Sequence, residues 1–342
     1  MSRITFGVWA AMALIFVPLA GAQSYTVTDL GTLGGGNYAI PQGINDDGAV
    51  AGYATLSNGI QHAFVWTSTT GMRDIGTLGG AASQSNAEAI NNSGEVVGFS
   101  YLPGEEGARA FIWTSKGGMH GLGTLGGKGS FAYGINDSGQ VVGDSFLADG
   151  ITLHPFLWTA TEGMQDLGNL GGRESYAQGI SQSGEVVGYS YLADNITYHA
   201  FRWTRAGGLE DLGSFDGTDS VALAINTSGE IAGLGFAPPN TYQQVAALWT
   251  ASGRMQAMGT GPNSIALGLN ESNQVVGYFG QYIPAAAMLW TPKSRAQNLN
   301  TLIPPNPRWL LTAAFGINTS GQIAAYGTIN GETHAALLTP TK

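Results

Sequence analysis

Histidine is the residue type in this sequence with the widest range of chemistry, and four of the five histidines recur at one position of a repeat. These four are His62, His154, His199 and His334. Histidines at a fixed spacing could hold a metal ion. In a radial repeat, however, this position lies roughly 10 Å outside the innermost strand, at ~4.8 Å per strand, and neighbouring repeats diverge outward. The side chains therefore cannot converge on one ion, and we expect each to make a structural hydrogen bond to a neighbouring turn.

Carboxylates form two small clusters, and neither has the pattern of a strong cation site. Glu105-Glu106 and the stretch from Asp216 to Asp219 lack the ligand spacing of an EF-hand loop. A weak calcium site at Asp216 and Asp219 is the one cofactor hypothesis that the sequence offers. Otherwise we expect no cofactor and no bound metal.

The common motifs of hydrolases and nucleotide-binding enzymes are missing from the sequence. No G-x-S-x-G, H-E-x-x-H or cysteine is present. Gly121–Gly126 formally matches G-x-G-x-x-G, but a strand rather than a helix is predicted after it, so we interpret its glycines as a crossing between repeats. An enzyme with a central site should collect irregular acids near the innermost strands, where only Glu88 is found. Catalysis stays open, and the sequence favours a non-catalytic role.

Tryptophans also recur with the repeat, at Trp66, Trp113, Trp158, Trp203, Trp249 and Trp290. A row of indoles could stack on sugars, but one register in six repeats indicates packing between repeats, where large aromatic side chains bury the most area. Trp309 stands outside this register, in the proline-rich segment 303–309. It is either a ligand contact or a plug over the last repeat.

The elements that position these residues repeat seven times. The motif Ile-Asn-x-x-Gly begins at positions 44, 90, 135, 180, 225, 269 and 317, with Ser181 and Leu269 as variants, so the period is 44 to 48 residues. Within one period, four short segments rich in β-branched and aromatic residues alternate with turns rich in Gly, Asn and Ser. The glycine of the Asn-x-x-Gly turn, replaced once by Asn273, suits a backbone with φ > 0.

This organisation predicts an all-β fold, a seven-bladed β-propeller of four-stranded antiparallel blades. A β-helix is the alternative, although its coils are usually much shorter. Residues 25–30 match the fourth strand of a blade and 334–339 match the third. We therefore expect the N-terminal strand to complete the last blade and close the ring, which removes an open sheet edge.

The N-terminal segment differs in composition from the repeats. Arg3, the apolar run from Phe6 to Leu19 and the small residues Ala20-Gly21-Ala22 form the pattern of a secretory signal peptide. A retained membrane anchor is the alternative, but the run is short for a spanning helix. The predicted domains are a signal peptide, 1–22, and a single propeller domain, 23–342, with no transmembrane segment after cleavage.

Composition limits the partners of the mature protein. The chain has 13 basic and 23 acidic residues, a net charge of −10, and no cysteine. An acidic surface disfavours nucleic acid, which requires a basic footprint. Without disulfides, an exported chain depends on its own packing for stability. We expect a monomer.

The repeats resemble one known family. His62-Ala-Phe-Val-Trp66 and His199-Ala-Phe-Arg-Trp203, together with Leu-Gly-Thr-Leu-Gly-Gly and Ile-Asn-x-Ser-Gly-x-Val-Val-Gly, are similar to the HAF extracellular repeats of bacteria. The resemblance covers about 25–340, although the fifth and sixth repeats lack parts of these motifs. It implies an exported bacterial repeat protein, periplasmic or extracellular, and carries no established activity.

Strand direction predicts where a ligand would bind. The turns within each repeat that contain Asn-x-x-Gly share one face, and the variable loops between second and third strands and between repeats share the other. Binding residues tend to lie on variable loops of a rigid scaffold. The predicted ligand residues on that loop face are Lys128, Arg173, Glu174, Asp216, Asp219, Arg308 and Trp309.

The mixed charges of these residues suit a neutral polar ligand such as a glycan or a peptide. The predicted function is a secreted, non-catalytic binding or surface-interaction propeller, whose partner is an extracellular or cell-surface polymer or protein. The alternative is a secreted polysaccharide or peptide hydrolase or lyase with its site in the central channel.

Overall fold

The computed structural model describes residues 24–104, 106–215, 218–236, 243–280, 285–305 and 309–341. The predicted signal peptide, 1–22, lies outside the described residues. The described chain consists of β-strands and one 3₁₀ turn, Leu299–Thr301. None of its helical segments has the length and apolar character needed to cross a membrane.

The strands follow the sequence repeats. They are β1 (Tyr25–Gly31); β2 (Ala39–Ile44), β3 (Val50–Thr55), β4 (Gln61–Thr67), β5 (Gly71–Gly76); β6 (Ser85–Ile90), β7 (Val96–Tyr101), β8 (Ala108–Thr114), β9 (Gly118–Gly121); β10 (Gly126–Ile135), β11 (Val141–Leu147), β12 (Leu153–Thr159), β13 (Gly163–Asp166); β14 (Gly171–Ile180), β15 (Val186–Leu192), β16 (Tyr198–Thr204), β17 (Gly208–Asp211); β18 (Ser220–Ile225), β19 (Ile231–Phe236), β20 (Gln244–Trp249), β21 (Met255–Ala257); β22 (Ser264–Leu269), β23 (Val275–Phe279), β24 (Ala286–Thr291), β25 (Ser294–Asn298); β26 (Trp309–Ile317), β27 (Ile323–Ile329) and β28 (Glu332–Pro340).

These strands form four-stranded antiparallel sheets, one per repeat. The sheets of the third and fourth repeats are joined by a single parallel bridge, Leu153 to Glu174. The last repeat supplies only three strands, and β1 pairs antiparallel with β28 as its fourth, with Tyr25 opposite Pro340. The innermost strands β2, β6, β10, β14, β18, β22 and β26 contact one another in sequence, and β26 also contacts β2. We call the space that these strands surround the central channel.

The Asn of the Ile-Asn-x-x-Gly motif links each repeat to the next. Its side-chain oxygen accepts backbone N–H groups of its own turn, as when Asn136 accepts from Gln140 N at 3.1 Å. Its Nδ2 donates across to the backbone carbonyl of the equivalent residue one repeat later. The donor–acceptor pairs are Asn45–Asn91, Asn91–Asn136, Asn136–Ser181, Asn226–Asn270, Asn270–Asn318 and Asn318–Asn45. Ser181 has no amide group, so the equivalent bond to Asn226 is not formed. The predicted positive φ of the turn glycine is confirmed, with Asn273 at 58° in its place.

The repeated histidines make structural hydrogen bonds, as predicted; two of them bond to a neighbouring loop, His154 to Asn169 and His199 to Ser214, but the partner that all four share is an aspartate. Each Nδ1 contacts the carboxylate of an aspartate on the paired fourth strand of the same sheet. The pairs are His62–Asp74, His154–Asp166, His199–Asp211 and His334–Asp29, at 2.8 to 2.9 Å. The aspartate also accepts the N–H two residues later, as Asp211 does from Gly213. Asp29 lies on β1, so the N-terminal strand supplies the same partner to the last sheet.

The tryptophans pack in the core, as predicted. Trp66, Trp113 and Trp249 are buried, and Trp158, Trp203 and Trp290 pack partly buried against the hydrophobic clusters. Trp309 does not have the ligand-contacting position proposed from its sequence context. It begins β26 opposite Ile329 and is buried with Tyr25, Leu302 and Leu311, so its indole has little surface to offer a ligand.

One β-bulge recurs in the innermost strand of every repeat and determines what faces the central channel. The register shifts around one unpaired residue, for example between Ala132 and Gly134. A bulge redirects the side chain of the extra residue. The bulged residues are Gln42, Glu88, Tyr133, Gln178, Leu223, Leu267 and Phe315. All are partly accessible, whereas the residues that precede them are buried, which places this ring along the channel.

Candidate functional site

The loop face carries a cavity of about 290 Å³ lined by Arg173, Glu174, Tyr191 and Asn195. Arg173 and Glu174 belong to the start of β14, and Tyr191 lies near the end of β15. Asn195 is in the loop that follows β15. The cavity therefore lies where the variable loops of the fourth repeat meet, beside the bridge from Glu174 to Leu153 of the third repeat.

The loop 193–197 is shaped by its own polar side chains. Asp194 accepts the backbone N–H groups of Ile196 and Thr197 and the Thr197 hydroxyl. Asn195 has φ of 54°, a conformation that Asn tolerates better than most residues. The turn directs Asn195 Oδ1 to the backbone N–H of Arg173 at 2.7 Å. As a result Ile196 projects outward with 77% of its surface exposed, an apolar group at the rim of a polar cavity.

Aromatic and acidic groups continue from this cavity into the protein. The Tyr176 hydroxyl donates to Glu174 Oε2 at 2.7 Å, and the Tyr176 ring stacks on Tyr189 with centroids 4.7 Å apart. The ring centroids of Tyr191 and Tyr198 lie 5.4 Å apart. Burial raises the pKa of the Tyr191 hydroxyl, and the nearby charges of Glu174 and Asp219 raise it further. These tyrosines are therefore neutral hydroxyl donors with aromatic faces.

The structure brings some of the predicted ligand residues together and separates others. Arg173 and Glu174 line the cavity, and Asp219 lies beside it, where Oδ1 accepts the backbone N–H of Tyr198 at 3.0 Å. Lys128 is at the equivalent place one repeat earlier, where its ammonium group lies 4.8 Å from the Phe146 ring centroid. Trp309 is in the core, as described above.

Asp216 and Arg308 lie outside the described residues. Among the residues that the structure describes, no three His, Asp or Glu side chains come together as metal ligands. Because Asp216 is not among them, the calcium hypothesis stays a prediction.

The opposite face, formed by the Asn-x-x-Gly turns, has a depression of about 250 Å³ that residues of all seven repeats surround. The residue after each motif Asn lines it and varies among repeats: Asp46, Asn92, Asp137, Gln182, Thr227, Glu271 and Thr319. Five of these seven side chains, those of Asp46, Asn92, Asp137, Gln182 and Glu271, accept a backbone N–H of the previous repeat's turn, as Asn92 does from Asp46 N at 2.9 Å. These bonds connect neighbouring repeats and occupy part of the hydrogen-bonding capacity of each of these side chains.

Two acids lie close to Tyr133, the bulged residue of β10. Burial raises the pKa of the Glu88 carboxyl to about 8, against the effect of a hydrogen bond with Asn86. Burial also raises the pKa of the Asp144 carboxyl well above its usual range. Asp144 is 1% exposed, and its Oδ1 has no hydrogen-bond partner among the described residues.

Sequence reasoning identified Glu88 and missed Asp144. The signal was present on the second strands, where the equivalent residues of the other repeats are Tyr53, Phe99, Tyr189, Leu234, Tyr278 and Tyr326. A carboxylate replaces a large apolar or aromatic side chain there once. The predicted ligand residues also do not include Tyr191 and Asn195, because neither carries a charge that distinguishes it from its neighbours in the sequence.

Comparison with known proteins identifies the fold and not the function. No protein-family model matches the chain, and no curated protein matches its sequence. Among solved structures, TolB from Acinetobacter baumannii superposes with a TM-score of 0.50 and 10% identity, covering 86% of this chain and 64% of TolB. A prolyl endopeptidase superposes with a TM-score of 0.56 and 11% identity, covering 93% of this chain and 50% of the peptidase. The chain is thus similar to the β-propellers of longer proteins, and its own fold is of the β-propeller type.

Proposed function

We propose that the protein is a secreted, non-catalytic binding β-propeller that holds a neutral, hydroxyl-rich ligand such as a glycan in the loop-face cavity. The observation that carries this proposal is the cavity itself, lined by Arg173, Glu174, Tyr191 and Asn195. Arg and Asn donate hydrogen bonds, Glu accepts them, and a tyrosine ring offers an apolar surface. Such a mixture fixes a polar ligand of no net charge, because each sign of charge present is balanced by the other.

The scaffold proposed for this site is a single closed ring of seven blades. Support comes from the pairing of β1 with β28, the contact of β26 with β2, and the hydrogen bond from Asn318 to the Asn45 carbonyl at 3.0 Å. A closed ring leaves no sheet edge open to other chains. We propose that the ring is monomeric, and that the signal-peptide pattern and the HAF-like repeats place it in the periplasm or outside a bacterial cell.

A hydrolase with a site in the channel is the less favoured function. Acid–base catalysis by two carboxyls requires environments that push their pKa values apart, so that one stays ionised while the other holds a proton. Burial raises the pKa of both Glu88 and Asp144. The two shifts have the same direction, which does not separate an acid from an ionised base, so the pair favours binding over catalysis.

The test is a screen of the purified protein against an array of neutral oligosaccharides, followed by titration calorimetry of the best ligand. Arg173→Ala and Tyr191→Ala should each weaken binding by about tenfold or more, the effect of losing a contact that contributes about 1.4 kcal/mol or more. Arg205→Ala is the matched control, because Arg205 is 63% exposed and pairs with Glu162 on the opposite face. Equal losses in all three variants would contradict the assignment.

A further inference from the structure

Asp144 lies at a position where a carboxylate does not stabilise the fold. The side chain is almost fully buried, and its Oδ1 meets no donor among the described residues. A buried charge is normally paired or hydrogen-bonded, because removing it from water without compensation costs several kcal/mol. Asp144 nevertheless occupies a position that is aromatic in five of the other six repeats and leucine in the sixth. The Asp144 carboxylate therefore needs a hydrogen-bond donor or a cation, and the described residues do not supply one for its Oδ1.

Aromatic residues lie on the strands next to this carboxyl. Phe131 lies directly opposite Asp144 in the pairing of β10 with β11, and Phe131 packs edge-on against Phe99 at 5.1 Å. Tyr133 is the bulged residue of the same strand β10. Tyr176 and Tyr189, stacked at 4.7 Å, come from the next repeat.

The charge of Asp144 affects the pKa of the tyrosine hydroxyls near it. Burial is the main cause of the raised pKa of Tyr133, Tyr176 and Tyr189, and the charge of Asp144 raises each of them further. Glu88 acts on Tyr133 in the same way. Both acids therefore lie close to Tyr133, and the aromatic residues occupy the space around them.

A carboxylate surrounded by aromatic faces has the chemistry of an ammonium site. A cation within about 6 Å of an aromatic centroid is attracted by the ring, and the attraction grows when the site is shielded from water. We propose that the buried region around Asp144, next to Tyr133, holds a site for an organic ammonium ion, in which Asp144 is the counter-ion and Tyr133, Tyr176 and Tyr189 supply the aromatic surfaces. A primary ammonium group also has three N–H donors, which can satisfy Asp144 Oδ1 and the tyrosine oxygens.

Binding of an ammonium ion at this site should be coupled to the release of protons. Burial raises the pKa of the Glu88 carboxyl to about 8 and that of the Asp144 carboxyl well above its usual range, so each carboxyl favours its protonated form more than an exposed one does. An ammonium ion stabilises the ionised form of the carboxyl it contacts. The groups that face the pair, Tyr133, Tyr176 and Tyr189, stay protonated throughout. Binding should therefore release protons, which calorimetry detects by comparing buffers of different ionisation enthalpy.

The experiment is calorimetric titration of the purified protein with n-butylammonium chloride, with butan-1-ol and sodium chloride as comparison ligands. The account predicts saturable binding of butylammonium, proton release, and much weaker binding of butan-1-ol and sodium. Asp144→Asn should weaken butylammonium binding by about tenfold to a hundredfold, as expected for losing a charged hydrogen bond. Asp47→Asn, which removes a carboxylate from an exposed turn, should leave it unchanged.

Folding of the variant is checked separately. Because Asn is isosteric with Asp and carries no charge to bury, Asp144→Asn should melt at or above the temperature of the wild type. Four results would overturn the proposal: no butylammonium binding at millimolar concentration, equal affinity for butan-1-ol, equal affinity for sodium, or unchanged affinity in a folded Asp144→Asn protein. The third result would assign the site to inorganic cations.

Discussion

Replacing Glu88 by Gln should stabilise the protein above neutral pH and leave its stability at acidic pH almost unchanged. The Glu88 pKa is raised from 4.5 to about 8, and the first cause is burial. Between these two values the folded state holds a proton that the unfolded state has lost. The free energy of unfolding of the wild type therefore falls as the pH rises through this window, and the full penalty is present above pH 8.

The size of the effect follows from the two pKa values. The interval from 4.5 to about 8 corresponds to about 5 kcal/mol, at about 1.4 kcal/mol for each pH unit. Glu88 is partly accessible from the channel, so solvent there reduces the penalty, and we expect about 2–5 kcal/mol at pH 9. The neutral Gln keeps a hydrogen-bonding group beside Asn86 and has no charge to desolvate.

The assay is urea denaturation of the wild type and Glu88→Gln at several pH values from 4 to 9. The two proteins should have similar stability near pH 4 and diverge progressively up to pH 8. Glu106→Gln is the matched control, since Glu106 is exposed, and its difference from the wild type should not vary with pH. The measured quantity is the free energy of unfolding of Glu88→Gln minus that of the wild type. A lower value at pH 9 than at pH 4 would refute the account of this carboxyl.

The remaining predictions concern the scaffold. Ser181→Asn should supply the missing hydrogen bond to the Asn226 carbonyl and stabilise the protein by about 0.5–1.5 kcal/mol in urea denaturation, whereas Ser181→Ala should not; an unchanged midpoint for the Asn variant would contradict the role of the motif. Gly188→Ala should destabilise by roughly 2–4 kcal/mol, because a Cβ there would lie 1.8 Å from the Tyr176 carbonyl oxygen. Gly121→Ala, whose Cβ would meet the Leu78 side chain at 3.5 Å and the Ala110 carbonyl oxygen at 4.0 Å, both ordinary contacts, is its control. Deletion of residues 23–31 should lower the melting temperature and cause association, seen by light scattering, because the edge of β28 becomes free; unchanged melting and a monodisperse sample would argue against the closing strand.

Much of the fold could be predicted because the pattern that leaves one short segment ambiguous recurs in every repeat. A short segment such as 186–190 does not distinguish a strand from another buried element, but the same pattern at a fixed spacing in every repeat does. The positive φ at Gly139 and Asn273 was also predictable, since few residues adopt that conformation. The partner of each histidine was not, because Asp211 and His199 become neighbours only once the pairing register of β16 and β17 is known.

The candidate sites were less predictable, for a different physical reason. A repeat pattern indicates which positions are variable, but not which variable positions meet. Arg173 and Asn195 form part of one cavity because a turn with φ of 54° directs the Asn side chain back to β14. Asp144 departs from the repeat already in the sequence, but only the structure shows that its carboxyl is buried and that its Oδ1 has no partner among the described residues. Trp309 shows the converse, because an irregular sequence position proved to be a core position.

The most direct test of the central claim is amide hydrogen exchange of the protein with and without the best ligand from the neutral oligosaccharide screen. The account predicts slower exchange in residues 171–175 and 191–198, which form the loop-face cavity, and unchanged exchange in the Asn-x-x-Gly turns. Protection confined to the turns at 45–48, 91–94, 136–139 and 181–184, or no binding to any neutral oligosaccharide, would contradict it.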